Sequence, residues 1–293
     1  MNLQVITPIC GQCVMNCPYC MANAHEHGNK FQDLYRENKD AYFGKMRRVF
    51  RGMDLNTIVV TGTADPLQEP EVVKEISQML KECMKPSSTI ELQTRIHNRV
   101  TDEISQQFDA IAFSIDNPKQ IPSIKKPQSK VNRFVFILTD AFNGYNLQQL
   151  LDMGQFTPEQ ITFKILVSSN EINCKQDEWV RQHNCDLATQ ERLKSDAEKE
   201  NKKGKISVRW DDTCWIADNR YIVFRQDGDL YHTWDDPEPA MIVRPMEAQI
   251  KARASTITNK SGASIKPSAI NPKRSCCDAG NAVPYLGDNE ASI

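Results

Sequence analysis

Short apolar, β-branched runs recur along the first 170 residues, separated by helical or polar stretches, and they constrain this chain more than any other feature. Leu3 to Ile6, Thr57 to Thr61, Thr89 to Thr94, Ala110 to Ile115, Arg133 to Leu138 and Ile161 to Val167 all read as strands of similar length. Continuous apolar strands need cover on both faces, and strands spaced this widely need crossovers rather than hairpins, so the pattern predicts a parallel sheet with helices against it. Between the second and third runs, Val72, Val73, Ile76, Met79, Leu80 and Cys83 fall at helical spacing within Pro70 to Lys85. Cys83 therefore belongs to a buried face.

The pattern changes after Ser168. Asp177 to Asn201 is dense in charge and reads as one or two solvated helices, ending at Lys202-Lys203-Gly204-Lys205. The expected division is residues 1–205 as the α/β body and 206–293 as a small β-rich appendage. Ile206 to Trp210 and Arg220 to Phe224 read as strands of that appendage, and Asp227-Gly228 marks a hairpin turn before Leu230 to Trp234. From Lys251 to Ser275 there are six Lys or Arg and no acid among Ser, Thr, Ala and Asn, a composition too poor in apolar residues for a core of its own.

Charge and hydropathy exclude two broad classes. Lys plus Arg number 36 against 38 Asp plus Glu, a net charge of −2, so any polyanion contact has to be local. No apolar run approaches the length of about 18 that a bilayer span requires. Met1 to Ile6 reads as a strand rather than a secretion signal. The expected location is the cytoplasm, the host cytoplasm if the chain is viral, with no membrane partner.

In a reducing compartment ten cysteines point to metal binding before disulfides. Four of them, Cys10, Cys13, Cys17 and Cys20, lie together just past the first strand; Cys83, Cys174, Cys185, Cys214, Cys276 and Cys277 are scattered. A loop at the carboxyl end of a parallel strand is where such folds place active-site groups. Three thiolates spaced CxxxCxxC, at Cys13, Cys17 and Cys20, can wrap one face of a four-iron cubane and leave one iron open. A structural zinc ion is the alternative, with His25 and His27 as loosely spaced extra donors.

With Tyr19 immediately before its third cysteine, this motif in a first βα loop resembles the radical S-adenosylmethionine (radical SAM) enzymes. The resemblance implies an α/β fold, a partial (β/α)6 TIM barrel. It also implies a [4Fe-4S] cluster on Cys13, Cys17 and Cys20, and S-adenosylmethionine chelating the open iron through its amino and carboxylate groups. One-electron reduction by an external flavodoxin- or ferredoxin-like donor then yields a 5′-deoxyadenosyl radical that abstracts hydrogen from substrate. Thr61-Gly62-Thr63-Ala64-Asp65-Pro66-Leu67, after the second strand, resembles the family's GGEP-type turn, with Asp65-Pro66 for Glu-Pro and Thr63-Ala64 where two glycines stand. Leu92-Gln93-Thr94 resembles the family's polar third-strand tip, and Phe113-Ser114-Ile115-Asp116 a Ser-x-Asp ending. Tyr19, Gly62, Thr63, Asp65, Ser114 and Asp116 are accordingly the expected cofactor-side residues, with Val167 and Ser168 as weaker candidates beside the adenine. The resemblance spans residues 1 to 170, and the cysteine motif is its specific part.

Beyond it, some of Cys10, Cys174, Cys185, Cys214, Cys276 and Cys277 could hold an auxiliary cluster, the plainer reading being ordinary free thiols. Arg209 to Trp215 and the group His232, Trp234, Asp235 and Asp236 are dense in aromatic and charged residues, either closing over substrate or anchoring the appendage. His97 reads as a satisfied polar residue. For substrate, the basic acid-free stretch favours a nucleotide or nucleic acid, including isomerisation of a decorated base of the kind phage hypermodification uses. A β-rich appendage that could add a strand to a peptide keeps peptide modification as the alternative, and a non-catalytic iron-sulfur or metal-binding module is a third reading.

Overall fold

The computed structural model describes residues 2–9, 11–20, 33–51, 53–166, 175–211, 221–232 and 239. The expectations for Cys10, Cys174, Cys214, Cys276 and Cys277, for His25 and His27, for Val167 and Ser168, for Trp215 and Trp234 to Asp236, and for the basic stretch from Lys251 lie outside these residues.

Among the described residues nine strands form one sheet: β1 (Asn2–Ile6), β2 (Thr57–Thr61), β3 (Thr89–Thr94), β4 (Ala110–Ile115), β5 (Val131–Leu138), β6 (Gln160–Ile165), β7 (Ser207–Asp211), β8 (Tyr221–Phe224) and β9 (Leu230–Tyr231). The spatial order is β7-β6-β5-β4-β3-β2-β1-β8-β9, parallel throughout except for the β8/β9 hairpin. The strands expected beyond residue 205 do form, but β7 extends the sheet beside β6 and β8 extends it beside β1. Their shortness conceals the pairing partner in sequence; what places them is the parallel register offered by each open edge. Gly228, at φ +80°, makes the β8/β9 turn in a conformation that favours glycine.

The helices are α1 (Leu34–Glu37), α2 (Lys39–Phe50), α3 (Pro70–Cys83), α4 (Asp102–Ser105), α5 (Leu147–Asp152), α6 (Lys175–His183) and α7 (Leu187–Lys203). The charged segment from Asp177 is thus two helices, and α7 stops at Gly204, a left-handed C-cap at φ +68°. Among the described residues no helix is long and apolar enough to cross a membrane.

Strand alternation separates two chemically different faces. Leu3, Val5, Ile58, Val60, Ile90, Leu92, Phe113, Phe134, Phe136 and Phe163 join Val73, Ile76 and Leu80 of α3 in one apolar core. Each such side chain contributes on the order of 1.5–3 kcal/mol by leaving water. The opposite face carries a small apolar cluster at the β1/β8/β9 end, Ile6, Val223 and Tyr231. Further along it holds a buried polar cluster: the fully buried Glu91 of β3 accepts from Arg133 of β5 at 2.6 Å and from Gln93 at 2.9 Å, while Arg133 also donates from Nε to Gln160 of β6 at 2.9 Å.

Removing one partner of that pair strands a charge away from water. Arg133→Met is expected to lower unfolding free energy by about 3–5 kcal/mol, whereas Arg133→Met with Glu91→Leu recovers most of the loss. Chemical denaturation of the two variants checks this, and equal losses would contradict it.

Candidate functional site

The site is built at the carboxyl ends of β1 to β4. Beyond β1 the chain is tied to β2 by Thr7, whose backbone N–H and hydroxyl both donate to the Thr61 carbonyl at 2.8 Å. The loop then makes two tight turns, closed by Asn16 N–H to the Cys13 carbonyl at 3.3 Å and Cys20 N–H to the Cys17 carbonyl at 3.0 Å. Asn16 takes φ +39°, a region that asparagine tolerates better than most residues. Gln68, just past β2, clamps the loop by accepting from Val14 N–H at 2.9 Å and donating to the Gln12 carbonyl at 3.1 Å. The spacing in sequence thereby becomes three free, partly exposed thiols on one braced loop.

Two of the three sulfurs already have donors. Cys13 Sγ accepts from the Asp65 N–H at 3.4 Å, and Cys17 Sγ from the Arg95 guanidinium. Burial pushes the Cys17 thiol above its ordinary pKa, while Arg95 opposes the shift by favouring thiolate. Among the described residues no three His, Cys, Asp or Glu side chains converge on a single metal ion. Three thiols on one loop are the soft donors that would hold an iron-sulfur cluster.

The turn after β2 is conformationally specific. A Cβ added at Gly62 would lie 2.4 Å from the Ala64 carbonyl oxygen, so this position excludes every side chain. Asp65 is buried and faces inward: its carboxylate accepts from Leu67 N–H at 3.0 Å, Thr94 hydroxyl at 2.7 Å and Arg95 N–H at 2.5 Å. It thus locks the β2 turn to the β3 tip, and what it presents toward the cysteine loop is its backbone N–H. Thr63 is partly buried within this turn.

Asp116, at the end of β4, joins the network from the other side. Its carboxylate accepts from Tyr19 hydroxyl at 3.0 Å and pairs with Arg95 at 2.5 Å. Its carbonyl accepts from Thr139 at 2.7 Å. Burial holds the Tyr19 phenol well above the usual range, so the group stays protonated and donates. The Arg95 guanidinium also lies 5.7 Å from the Tyr19 ring centroid. Ser114 offers its carbonyl to His97 Nε2 at 3.0 Å. Burial lowers the His97 pKa, and the ring packs edge-on to Phe113, leaving His97 a neutral tie between strand tips.

Of the expected residues, the structure brings together Cys13, Cys17, Tyr19, Asp65 and Asp116, with Arg95 at their centre. Sequence reasoning stopped one residue short of Arg95, at Leu92-Gln93-Thr94, and Gln93 instead donates to Glu91. It also passed over Trp179 in the charged stretch, although this ring packs 5.8 Å from Tyr19 and stacks on His183 at 4.3 Å and 4°. The Nε of Arg95 is buried without a partner among the described residues. Cys83 and Cys185 are buried, the latter pushed up to about 12 by desolvation, far from thiolate chemistry.

No family model and no curated protein sequence matches the chain. Solved structures do. HemN, the coproporphyrinogen III oxidase of Escherichia coli described as a radical SAM enzyme, is similar at 11% identity with a TM-score of 0.46. That match covers 69% of this chain and 52% of HemN, so the chain spans about half the HemN length. The structure of anSMEcpe with AdoMet and a Cp18Cys peptide bound is similar at 12% identity with a TM-score of 0.50, over 79% of this chain and 73% of that one. The chain has the radical SAM fold. In radical SAM terms the parallel run from β1 to β6 is the partial barrel, its sheet not closed, and the cysteine loop lies at the end of its first strand.

Proposed function

We propose that this chain is a radical SAM enzyme. The observation that carries the reading is the braced loop presenting Cys13, Cys17 and Cys20 at the carboxyl edge of a parallel sheet, beside a turn where only glycine fits. When bound, a [4Fe-4S] cluster supplies an open iron and one electron for cleaving S-adenosylmethionine to a radical that takes hydrogen from substrate. The chain's own part is positional. Gln68 holds the cysteine loop, Asp65 locks two strand tips, and Asp116 orients both Tyr19 and Arg95. Arg95 places one positive charge against Cys17, which favours the ligating thiolate. Trp179 covers the Tyr19 ring and reduces water access. The electron comes from an external flavodoxin- or ferredoxin-like donor.

The substrate class we infer is a nucleotide or nucleic acid, the reaction being modification such as isomerisation of a decorated base of phage type. It is supported by the six cations without an acid between Lys251 and Ser275. Peptide modification is the second reading, favoured by the peptide bound in the anSMEcpe structure. Both are tested in one anaerobic assay of 5′-deoxyadenosine release. Nucleotides or DNA carrying modified bases are expected to accelerate release, by excluding water from the reacting groups, and cysteine-containing peptides are not. Acceleration by peptides alone would transfer the assignment to the second reading.

A further inference from the structure

Arg95 is the first residue past β3 and Asp116 the first past β4, so their side chains start from two defined points at the carboxyl edge of the sheet. The backbone is pinned at both. Arg95 N–H donates to the Asp65 carboxylate at 2.5 Å, and the Asp116 carbonyl accepts from the Thr139 hydroxyl at 2.7 Å. The guanidinium stands between two partners: Nη1 donates to Cys17 Sγ, and Nη2 pairs with the Asp116 carboxylate at 2.5 Å. The Arg95 side chain is 13% exposed and that of Asp116 17%, so water screens these charges weakly. Tyr19 adds to the hold, its hydroxyl donating to Asp116 at 3.0 Å while its ring centroid lies 5.7 Å from the guanidinium carbon. The outcome is an ordered charge pair with its positive end against a sulfur and its negative end behind.

Holding the loop does not require such a pair, because Gln68 and the backbone turns already brace it. Its charge matters for electron transfer instead. Reduction of an iron-sulfur cluster adds one electron and breaks no bond, so negative charge at the thiolate sulfurs rises, and hydrogen bonds and charges placed there tune the potential. We propose that Arg95 raises the reduction potential of the cluster by acting through the Cys17 sulfur, and that Asp116 moderates the effect. This rests on the reading above of Cys13, Cys17 and Cys20 as its ligands. The electron itself still comes from the external donor.

The two side chains must then act in opposite directions. Arg95→Gln removes the charge facing Cys17 and is expected to lower the equilibrium constant for reduction about tenfold, which is about 59 mV for one electron. Asp116→Asn keeps an oxygen for the Tyr19 hydroxyl but leaves Arg95 uncompensated, and is expected to raise that constant several-fold. Mediated reductive titration of the full-length reconstituted protein, followed by electron paramagnetic resonance without S-adenosylmethionine, measures both. A merely structural disturbance would move both variants the same way, and a role confined to holding the cofactor would leave both potentials unmoved. Native-like potentials, or two shifts of one sign, would therefore overturn the proposal and leave the cluster reading standing. If Arg95→Gln assembles no cluster, Asp116→Asn decides alone: a raised potential supports the proposal, and an unchanged or lowered one overturns it. Native protein that takes up no iron would overturn the cluster reading and this proposal together.

Discussion

Replacing Cys13, Cys17 and Cys20 together with alanine is expected to abolish iron incorporation, from about four irons and four sulfides per chain in anaerobically reconstituted native protein to none. These are three free thiols on one loop, and besides two contacts at the sulfurs the loop is held by Gln68, Thr7 and its own backbone turns. The fold should therefore survive the substitutions, and circular dichroism would show it. The buried thiols provide the control. Cys83 packs in the α3 core and Cys185 is held protonated by desolvation, so Cys83→Ala with Cys185→Ala should keep the full iron content. A triple variant that retained iron would place the ligands elsewhere, among cysteines such as Cys10, Cys174 or Cys214.

The second large effect is expected at Gly62. Valine there would drive its Cβ to within 2.4 Å of the Ala64 carbonyl oxygen, a backbone atom that cannot move without displacing Asp65. Asp65 binds Thr94 and Arg95 through its carboxylate and Cys13 through its N–H, so the distortion reaches the edge where a cofactor would lie. Gly62→Val is expected to weaken S-adenosylmethionine binding at least tenfold, which is about 1.4 kcal/mol, while the iron content stays near the native value. Equilibrium binding to the reconstituted protein measures it. Thr63→Ala, which leaves the close approach untouched, should bind within a few-fold of native.

Much of this arrangement could be read before the structure, for identifiable reasons. The six strands announce themselves as short runs rich in apolar and β-branched residues, set apart by helical or polar stretches. The cysteine loop is legible because its chemistry is carried by consecutive residues. Arg95 was not, since its importance depends on a guanidinium reaching Cys17, 78 residues away in sequence, and Asp116 on a different strand end. Trp179 was hidden by its setting, a solvated and highly charged helix whose one aromatic face meets Tyr19 only after the chain has closed up. The strands β7 and β8 were visible as strands but not as sheet extensions, because pairing across an open edge leaves no local signature. The buried polar cluster was likewise concealed: Glu91, Arg133 and Gln160 lie in three different strands, and only alternation in a known register shows that they share a side.

The most direct measurement is the product of cofactor cleavage. Native protein, reconstituted with iron and sulfide and reduced anaerobically with dithionite, should convert S-adenosylmethionine slowly to 5′-deoxyadenosine and methionine without any substrate, and the Cys13, Cys17 and Cys20 triple variant should form neither. A native protein carrying its full four-iron complement that binds S-adenosylmethionine yet yields no 5′-deoxyadenosine, with or without candidate substrates, would contradict the account.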